Sequence, residues 1–192
     1  MPELITILLA GIFTSNYVLA QTTGVCPFLG VSKKFQQALG MSIAVIFVIL
    51  CATAVTWPIY TYLLVKFDLT YLKTIVFILV IAALVQFVEI ILKKFIPPLY
   101  KSLGVYLPLI TTNCIVLGIT EENVEETRSF INSMAASLGV GIGFLVAMIL
   151  FAGVRLRIEN APSPKSFKGV PITLVAAAIV ALAFSGFKTI GF

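Results

Sequence analysis

The stretch Thr22-Thr23-Gly24-Val25-Cys26-Pro27-Phe28-Leu29-Gly30 breaks a long apolar segment near the start of the chain, and is termed the first cysteine frame. The second cysteine frame, Thr111-Thr112-Asn113-Cys114-Ile115-Val116-Leu117-Gly118, breaks another apolar segment in the second half. Both frames contain two threonines followed by the pattern Cys-x-x-Leu-Gly. The repetition predicts a doubled membrane unit in which each copy has one thiol at a helix break. Because thiolates are soft metal ligands, the pair indicates a redox centre inside the bilayer.

Composition assigns the chain to the membrane proteins. Its 192 residues are 60% hydrophobic and 11% charged, whereas soluble domains contain about 25% charged residues. The net charge of +5 does not indicate nucleic-acid binding, because the basic residues cluster at the ends of apolar runs, where they set topology. The sequence contains no histidine, which excludes His-ligated haem or zinc and imidazole acid–base chemistry in this chain. Its three cysteines are too few for a disulfide scaffold.

Apolar runs of about 20 residues predict six membrane-spanning helices. The expected spans are about 4–22, 36–64, 70–94, 99–119, 128–154 and 170–188. The first is expected to run into a break over 24–30, and the fourth contains the second cysteine frame. Pro97-Pro98 should end the third span, because proline cannot donate the helical hydrogen bond.

The two halves of the chain, 1–96 and 97–192, resemble each other beyond the cysteine frames. Segment 39–45 matches 138–144 in pattern, and 72–80 resembles 167–175. Three spans per half is an odd number, so the second copy must enter the membrane upside down. The predicted fold is therefore an all-α membrane protein of two inverted three-helix repeats, with helices 1 and 4 broken near the functional site. Chance similarity between two apolar sequences is the alternative.

Nine of the 13 lysine and arginine residues fall on the side of Lys33-Lys34. The positive-inside rule makes that side cytoplasmic and predicts that both termini lie outside. Arg155 is expected in a solvated inside loop. The acidic run over 121–126 is expected to be a solvated outside loop and not an ion site, because its carboxylates would repel one another if buried.

The cysteines allow three interpretations from the residues alone. Cys26 and Cys114 could be inert buried thiols, a disulfide, or two thiolate ligands of a metal centre. Iron–sulfur sites commonly need four thiolates, so a partner with the same geometry would supply the other two. Cys51 lies in an unbroken span and is expected only to pack.

Other residues of the two frames could support such a centre. Gly24, Pro27, Gly30 and Gly118 favour helix breaks, and broken backbone in a bilayer needs polar partners. Thr112 and Asn113 offer a hydroxyl and an amide, and amide donors can tune a cluster by hydrogen bonding to its sulfur.

Intramembrane polar residues are candidates for an ion pathway. Glu89 is an acid within an apolar run, and Lys93 follows it on the same helix face. Glu89 is therefore interpreted either as half of an interfacial ion pair or as a proton or sodium site. Asn16 and Gln86 are weaker candidates.

Segments 24–34 and 107–114 resemble the signature segments of the A-type family of Rnf membrane proteins, and 80–89 and 182–187 also fit. The resemblance covers essentially the whole chain. It implies a homologous, inverted partner, the E subunit, and one [2Fe-2S] cluster held by two cysteines from each subunit, here Cys26 and Cys114. It also implies electron transfer between ferredoxin and NAD, coupled to sodium or proton translocation in a bacterial or archaeal cytoplasmic membrane. Flavin-carrying and iron–sulfur subunits of the Rnf complex would be further partners.

Three alternatives remain open. The E subunit of the sodium-pumping NADH:quinone reductase is a close relative, although Pro27, Gly30 and Thr112 resemble the Rnf member more. A secondary transporter with its substrate site at the broken helices is a second alternative, and a cofactor-free scaffold subunit is a third. The chain has no nucleotide or flavin motif, so it is expected to act as part of a translocase and not as a complete enzyme.

Overall fold

The computed structural model describes residues 2–14, 16–32, 35–95, 110, 113–159, 164 and 168–188, and these residues form helices joined by turns, with no β-strand. The α-helices of these residues are α1 (Pro2–Leu9), α2 (Val25–Val31), α3 (Phe35–Ile59), α4 (Lys73–Phe95), α5 (Cys114–Glu125), α6 (Phe130–Glu159) and α7 (Val170–Lys188). Helices α1 and α3 continue into π-helical turns over Ala10–Thr14 and Tyr60–Leu64, and a 3-10 turn over Thr70–Leu72 precedes α4.

Among the described residues, three helical segments are long and apolar enough to cross a membrane, namely Phe35–Leu64, Thr70–Ile90 and Phe130–Ile158. The shorter segment Val170–Gly186 is also apolar. These ranges agree with the spans predicted over 36–64, 70–94, 128–154 and 170–188. The prediction of an all-helical membrane protein is confirmed, whereas the count of six spans and their inverted arrangement stay predictions.

Helices α3 and α6 pack against each other at the centre of the molecule. Most of their buried side chains are apolar and include Met41, Val45, Phe144, Met148 and Phe151, and one buried polar pair, Thr53 and Ser137, also joins the two helices. Helix α4 packs on α3, and α7 packs on α6. The outer faces of these two helices expose large apolar side chains, among them Ile75, Leu79, Phe87, Ile179 and Leu182. Exposed apolar surface on this scale is typical of a membrane or subunit contact.

The first helix crosses α6 at two glycines. A Cβ atom on Gly139 would lie 2.8 Å from the carbonyl oxygen of Leu8, and one on Gly143 would lie 2.7 Å from that of Gly11. Small residues four apart allow two helix backbones to approach this closely, as in other membrane proteins. The end of α1 is therefore held against the centre of α6.

The break in the first predicted span lies earlier than expected. The helix was predicted to continue to residue 22, but the π-turn ends at Thr14 and helical structure resumes only at Val25. The prediction was wrong because the buried Asn16 side chain competes for backbone groups. Its Nδ2 donates to the carbonyls of Ile12 (3.1 Å) and Gly143 (3.0 Å). Its Oδ1 accepts hydrogen bonds from backbone N–H groups two and three residues further on.

This geometry gives Asn16 a structural task. Both donors and both acceptor positions of the amide are engaged by backbone groups, the acceptor by the N–H groups of Val18 (3.1 Å) and Leu19 (3.2 Å). The side chain thereby ends one helical segment and anchors the break to α6. The ion-pathway assignment of Asn16 stays a prediction, and the amide has no hydrogen-bonding position left over for an ion.

Candidate metal centre at two helix starts

The two cysteine frames meet in the folded chain. The backbone N–H of Gly24 donates to the Sγ atom of Cys114, with a nitrogen–sulfur distance of 2.9 Å. Cys26 follows Gly24 by two residues, so both thiols belong to one region of the surface. Both are exposed free cysteines, and neither forms a disulfide. The structure thus brings together two residues 88 positions apart that the sequence pattern had paired.

Gly24 begins the helix that carries Cys26. It is the residue before α2 and has the left-handed conformation φ 81°, ψ 23°, which favours glycine. A Cβ atom there would also lie 3.3 Å from Oδ1 of Asn113. Pro27 is buried at the third position of α2, where a missing N–H removes no intrahelical bond. The first frame was expected to be broken over 24–30, but from Val25 onward it is helical.

Asn113 begins the helix that carries Cys114. It has an extended backbone, and its Oδ1 accepts a hydrogen bond from the N–H of Ile115 (3.3 Å). Cys114 is therefore the first residue of α5. The N-terminus of a helix favours negative charge, which is the charge of a thiolate ligand. The break predicted in the second half stays a prediction, because most of the chain before Asn113 in that span lies outside the described residues.

The remaining predicted residues differ in their surroundings. Gly118 lies inside α5 and not at a break, and a Cβ atom there would be 3.2 Å from the ring of Tyr17. Gly30 is exposed in the last turn of α2, and Thr112 lies outside the described residues. Glu89 is partly buried in α4, about one turn before its basic end. Cys51 is partly buried in α3 and outside the two frames.

Arg155 is a residue of this region that the sequence interpretation missed. It was expected in a solvated loop, but it lies on α6 with only 7% of its surface exposed. One guanidinium nitrogen donates to the carbonyl of Leu29 (2.6 Å) and to Oγ of Ser32 (2.8 Å). The positive charge therefore lies at the C-terminal end of α2, where the helix dipole favours it.

Arg155 and an aromatic stack fix α2 to α6. The rings of Phe28 and Phe151 have centroids 4.2 Å apart and are nearly parallel. Arg155 extends the buried face formed by Phe144, Met148 and Phe151, at the spacing of one helix side. That periodicity was visible in the sequence and could have identified Arg155 as buried.

The acidic run is also not the solvated loop that was predicted. Its first five residues, through Glu125, belong to α5, and the side chain of Glu122 is 28% exposed. Tyr17 donates a hydrogen bond to Glu122, and Arg128 pairs with Glu122 (3.2 Å) and Glu126 (2.5 Å). The expected repulsion is offset because Arg128 and the first residue of α4 supply positive charge.

A cavity of about 140 Å³ lies beside Glu122. Its lining includes Gly11, Tyr17 and Arg128, so it adjoins the break in the first helix. Burial raises the pKa of Glu122 above the usual 4.5, and the nearby carboxylates of Glu126 and Glu125 act in the same direction, whereas Arg128 lowers it. Glu122 lies beyond residue 119, where the predicted fourth span ends.

The raised pKa predicts a pH-dependent contribution of Glu122 to stability. The folded protein binds this proton more tightly than the unfolded chain, so the contribution is fully present below about pH 4.5 and is lost as pH rises through the folded pKa. We expect the thermal midpoint of wild type minus that of Glu122→Gln to be larger at pH 5 than at pH 8. Thermal melts of the purified complex at both pH values measure this difference. A difference that grows from pH 5 to pH 8 would contradict the prediction.

The residues of the two frames fit the ligands of a thiolate-bound cluster. They offer two free thiols, a backbone N–H directed at one sulfur, and the buried amide nitrogen of Asn113, which has no hydrogen-bond partner among the described residues. In the same part of the chain, His, Cys, Asp and Glu nowhere form a group of three or more that could hold a metal ion. A four-ligand centre at Cys26 and Cys114 would therefore take further ligands from outside these residues.

Fold and site together define a helical membrane protein in which the starts of two helices bring a pair of thiols to one region. The chain belongs to the Rnf-Nqr family of membrane subunits, because the family profile described as "Rnf-Nqr subunit, membrane protein" matches residues 4–191. The resemblance drawn from the cysteine frames is thereby confirmed.

Curated relatives agree over almost the full length. The chain is 50% identical over 185 residues to the A-type subunit of the Na(+)-translocating ferredoxin:NAD(+) oxidoreductase complex of Acetobacterium woodii, covering 96% of each chain. It is 49% identical over 187 residues to the A-type subunit of the ion-translocating oxidoreductase complex of Syntrophotalea carbinolica, covering 97% of each. The protein of the same name from Azotobacter vinelandii is 47% identical over 189 residues, with 98% and 97% covered. These bacterial relatives are subunits of ion-translocating oxidoreductase complexes.

Proposed function

We propose that this chain is the A-type membrane subunit of an ion-translocating ferredoxin:NAD oxidoreductase. In this proposal Cys26 and Cys114 supply two of the four ligands of a [2Fe-2S] cluster, and a homologous E-type subunit supplies the others. The observation that carries the proposal is the hydrogen bond from the Gly24 N–H to Cys114 Sγ, because it joins the two matched frames. The names of the relatives support the complex and its activity.

The proposed architecture has six spans in two inverted repeats, with both termini on the outer side of a bacterial cytoplasmic membrane. Support comes from corresponding helix pairs, since α3 contacts α4 in the first half and α6 contacts α7 in the second. The equivalent helices α3 and α6 also contact each other, as expected near a pseudo-twofold axis. Labelling of a cysteine introduced at Phe192 from the cytoplasmic side only would contradict this orientation.

The chain's own residues prepare the site for the cluster. The cluster would supply a one-electron relay within a lipid core about 30 Å thick. The thiols of Cys26 and Cys114 hold its iron, and Gly24 lets backbone approach the sulfur closely. Arg155 fixes the end of α2 by its bonds to Leu29 and Ser32, so the position of Cys26 depends on a buried charge.

The transported ion is sodium or a proton. Glu89 is a candidate residue of its pathway, and its other interpretation is an interfacial ion pair with Lys93. Sodium is the ion in the name of the Acetobacterium woodii relative. Other subunits, including flavin-carrying and iron–sulfur proteins, would deliver and accept the electrons. The relatives, which are named as A-type subunits, favour this assignment over the E subunit of the sodium-pumping NADH:quinone reductase.

Iron content and electron paramagnetic resonance of the purified, reduced complex test the proposal. Cys26→Ser and Cys114→Ser should each lose the iron and the signal of one [2Fe-2S] cluster, while the matched control Cys51→Ser should keep both. A wild-type signal in either frame variant would overturn the ligand assignment. A transporter would keep its function in the double variant, and a cofactor-free scaffold would show no such cluster even in the wild-type complex.

A further inference from the structure

The side-chain amide of Asn113 has one end engaged and one end free. Its Oδ1 accepts from the N–H of Ile115, which fixes the orientation of the amide group. Its Nδ2 has no hydrogen-bond partner in the part of the chain that the structure describes, although only 4% of the residue is exposed. A buried donor without a partner costs about 1–3 kcal/mol. A group that binds at this position and accepts a hydrogen bond would remove that cost.

The free amide lies at the meeting point of the two frames. Asn113 directly precedes Cys114, and its Oδ1 would lie 3.3 Å from a Cβ atom on Gly24. One donor, the Gly24 N–H, is bonded to the Cys114 sulfur. The other, Nδ2 of Asn113, belongs to the residue next to Cys114 and has no partner among the described residues. Helix capping accounts for Oδ1, but it leaves Nδ2 without an explanation.

We propose that Nδ2 of Asn113 donates a hydrogen bond to sulfur of the cluster and thereby raises its reduction potential. This inference rests on the proposed function, because it requires a cluster held by Cys114. Reduction adds negative charge to the iron–sulfur unit, and N–H donors to sulfur stabilise the more negative state. The Gly24 N–H acts in the same direction. Asn113 thus sets the potential of the relay in addition to capping the helix that carries its ligand.

The variant Asn113→Ser separates the two tasks of the residue. Serine caps helices about as well as asparagine, so the start of α5 is retained while the amide donor is removed. Asn123→Ser is the matched control, since Asn123 is a second buried asparagine of the same helix. Its Nδ2 donates to Oγ of Ser137 at 3.2 Å, away from the cysteine frames.

A redox titration of the purified complex, followed by electron paramagnetic resonance, measures the potential of the cluster. We expect Asn113→Ser to lower the equilibrium constant for reduction of the cluster about tenfold. For a one-electron couple, this lowers the reduction potential by about 59 mV. Asn123→Ser should leave the potential at the wild-type value. A cluster of unchanged potential in Asn113→Ser overturns this inference but leaves the proposed function intact, whereas a wild-type complex without the cluster overturns the proposed function.

A second measurement is independent of how well the variant retains its cluster. Wild-type complex labelled with ¹⁵N only in asparagine should show a weak hyperfine coupling between ¹⁵N and the reduced cluster in pulsed electron paramagnetic resonance spectra. Complex labelled only in glycine should show a comparable coupling from the Gly24 N–H. A glycine coupling without an asparagine coupling would overturn the assignment of Asn113.

Discussion

Serine at either Cys26 or Cys114 is expected to abolish ferredoxin-dependent reduction of NAD by the complex. Loss of one thiolate opens the cluster site, and the electron then has no relay within the membrane. Substitution of a residue that only hydrogen-bonds to a metal ligand typically costs about 10–100-fold in metal affinity or activity. Loss of a direct ligand should therefore lower the activity at least about 100-fold. Steady-state NAD reduction by membrane vesicles, with reduced ferredoxin as donor, measures the effect.

Two controls make this result specific to the frames. Cys51→Ser, in the same chain but in the unbroken α3, should retain nearly wild-type activity. The flavin and iron–sulfur subunits of the Cys26→Ser and Cys114→Ser complexes should remain loaded, as judged by their own optical and resonance signals. Rapid NAD reduction in either frame variant would contradict an electron path through these thiols.

Alanine at Gly143 is expected to cause a large loss of stability. The new Cβ would lie 2.7 Å from the carbonyl oxygen of Gly11 and 3.3 Å from Nδ2 of Asn16. The backbone of Gly11 cannot move aside as the end of a flexible side chain can. The first helix and α6 must therefore move apart where they cross. Overpacking of this kind costs about 1–3 kcal/mol, and occasionally more. Because Asn16 holds the break to α6, the position of the first frame should also be disturbed.

Gly153→Ala is the control in the same helix, because a Cβ atom there would meet nothing within 4 Å. Alanine is favoured over glycine in a helix interior by about 1 kcal/mol, so this variant should be neutral or slightly stabilised. Thermal midpoints of the purified complex, together with its iron content, measure both variants. Equal midpoints for the two variants would show that the close crossing of the first helix and α6 does not limit stability.

The long spans were predictable because lipid imposes a simple rule on sequence. A helix that crosses the membrane must be apolar over most of its length, and the predicted boundaries of α3 and α4 agree with the observed helices. The break in the first span was misplaced for a local reason. The break was predicted at 24–30 because that segment contains glycine and proline. The helix ends earlier because the buried amide of Asn16 donates to the backbone carbonyls of Ile12 and Gly143.

Charged residues were the other source of error. Arg155 and Glu122 were expected in solvated loops, because charge usually indicates solvent. Arg155 is buried because it bonds to the end of α2. Glu122 is half-buried because it pairs with the nearby Arg128 and accepts a hydrogen bond from Tyr17. Leu29 and Tyr17 are more than 100 residues away from the charges they contact, so the sequence near each charge does not reveal these partners.

The sequence by itself determined the class of the protein, its long apolar helices α3, α4 and α6, its family and the pairing of Cys26 with Cys114. These follow from composition, periodicity and repeated local patterns, which each segment carries on its own. Only the tertiary structure decided that Gly24 donates to the Cys114 sulfur and that Nδ2 of Asn113 is buried without a partner among the described residues. Both facts depend on distances between backbone segments about 90 residues apart, and those distances are fixed by how α2, α5 and α6 pack together.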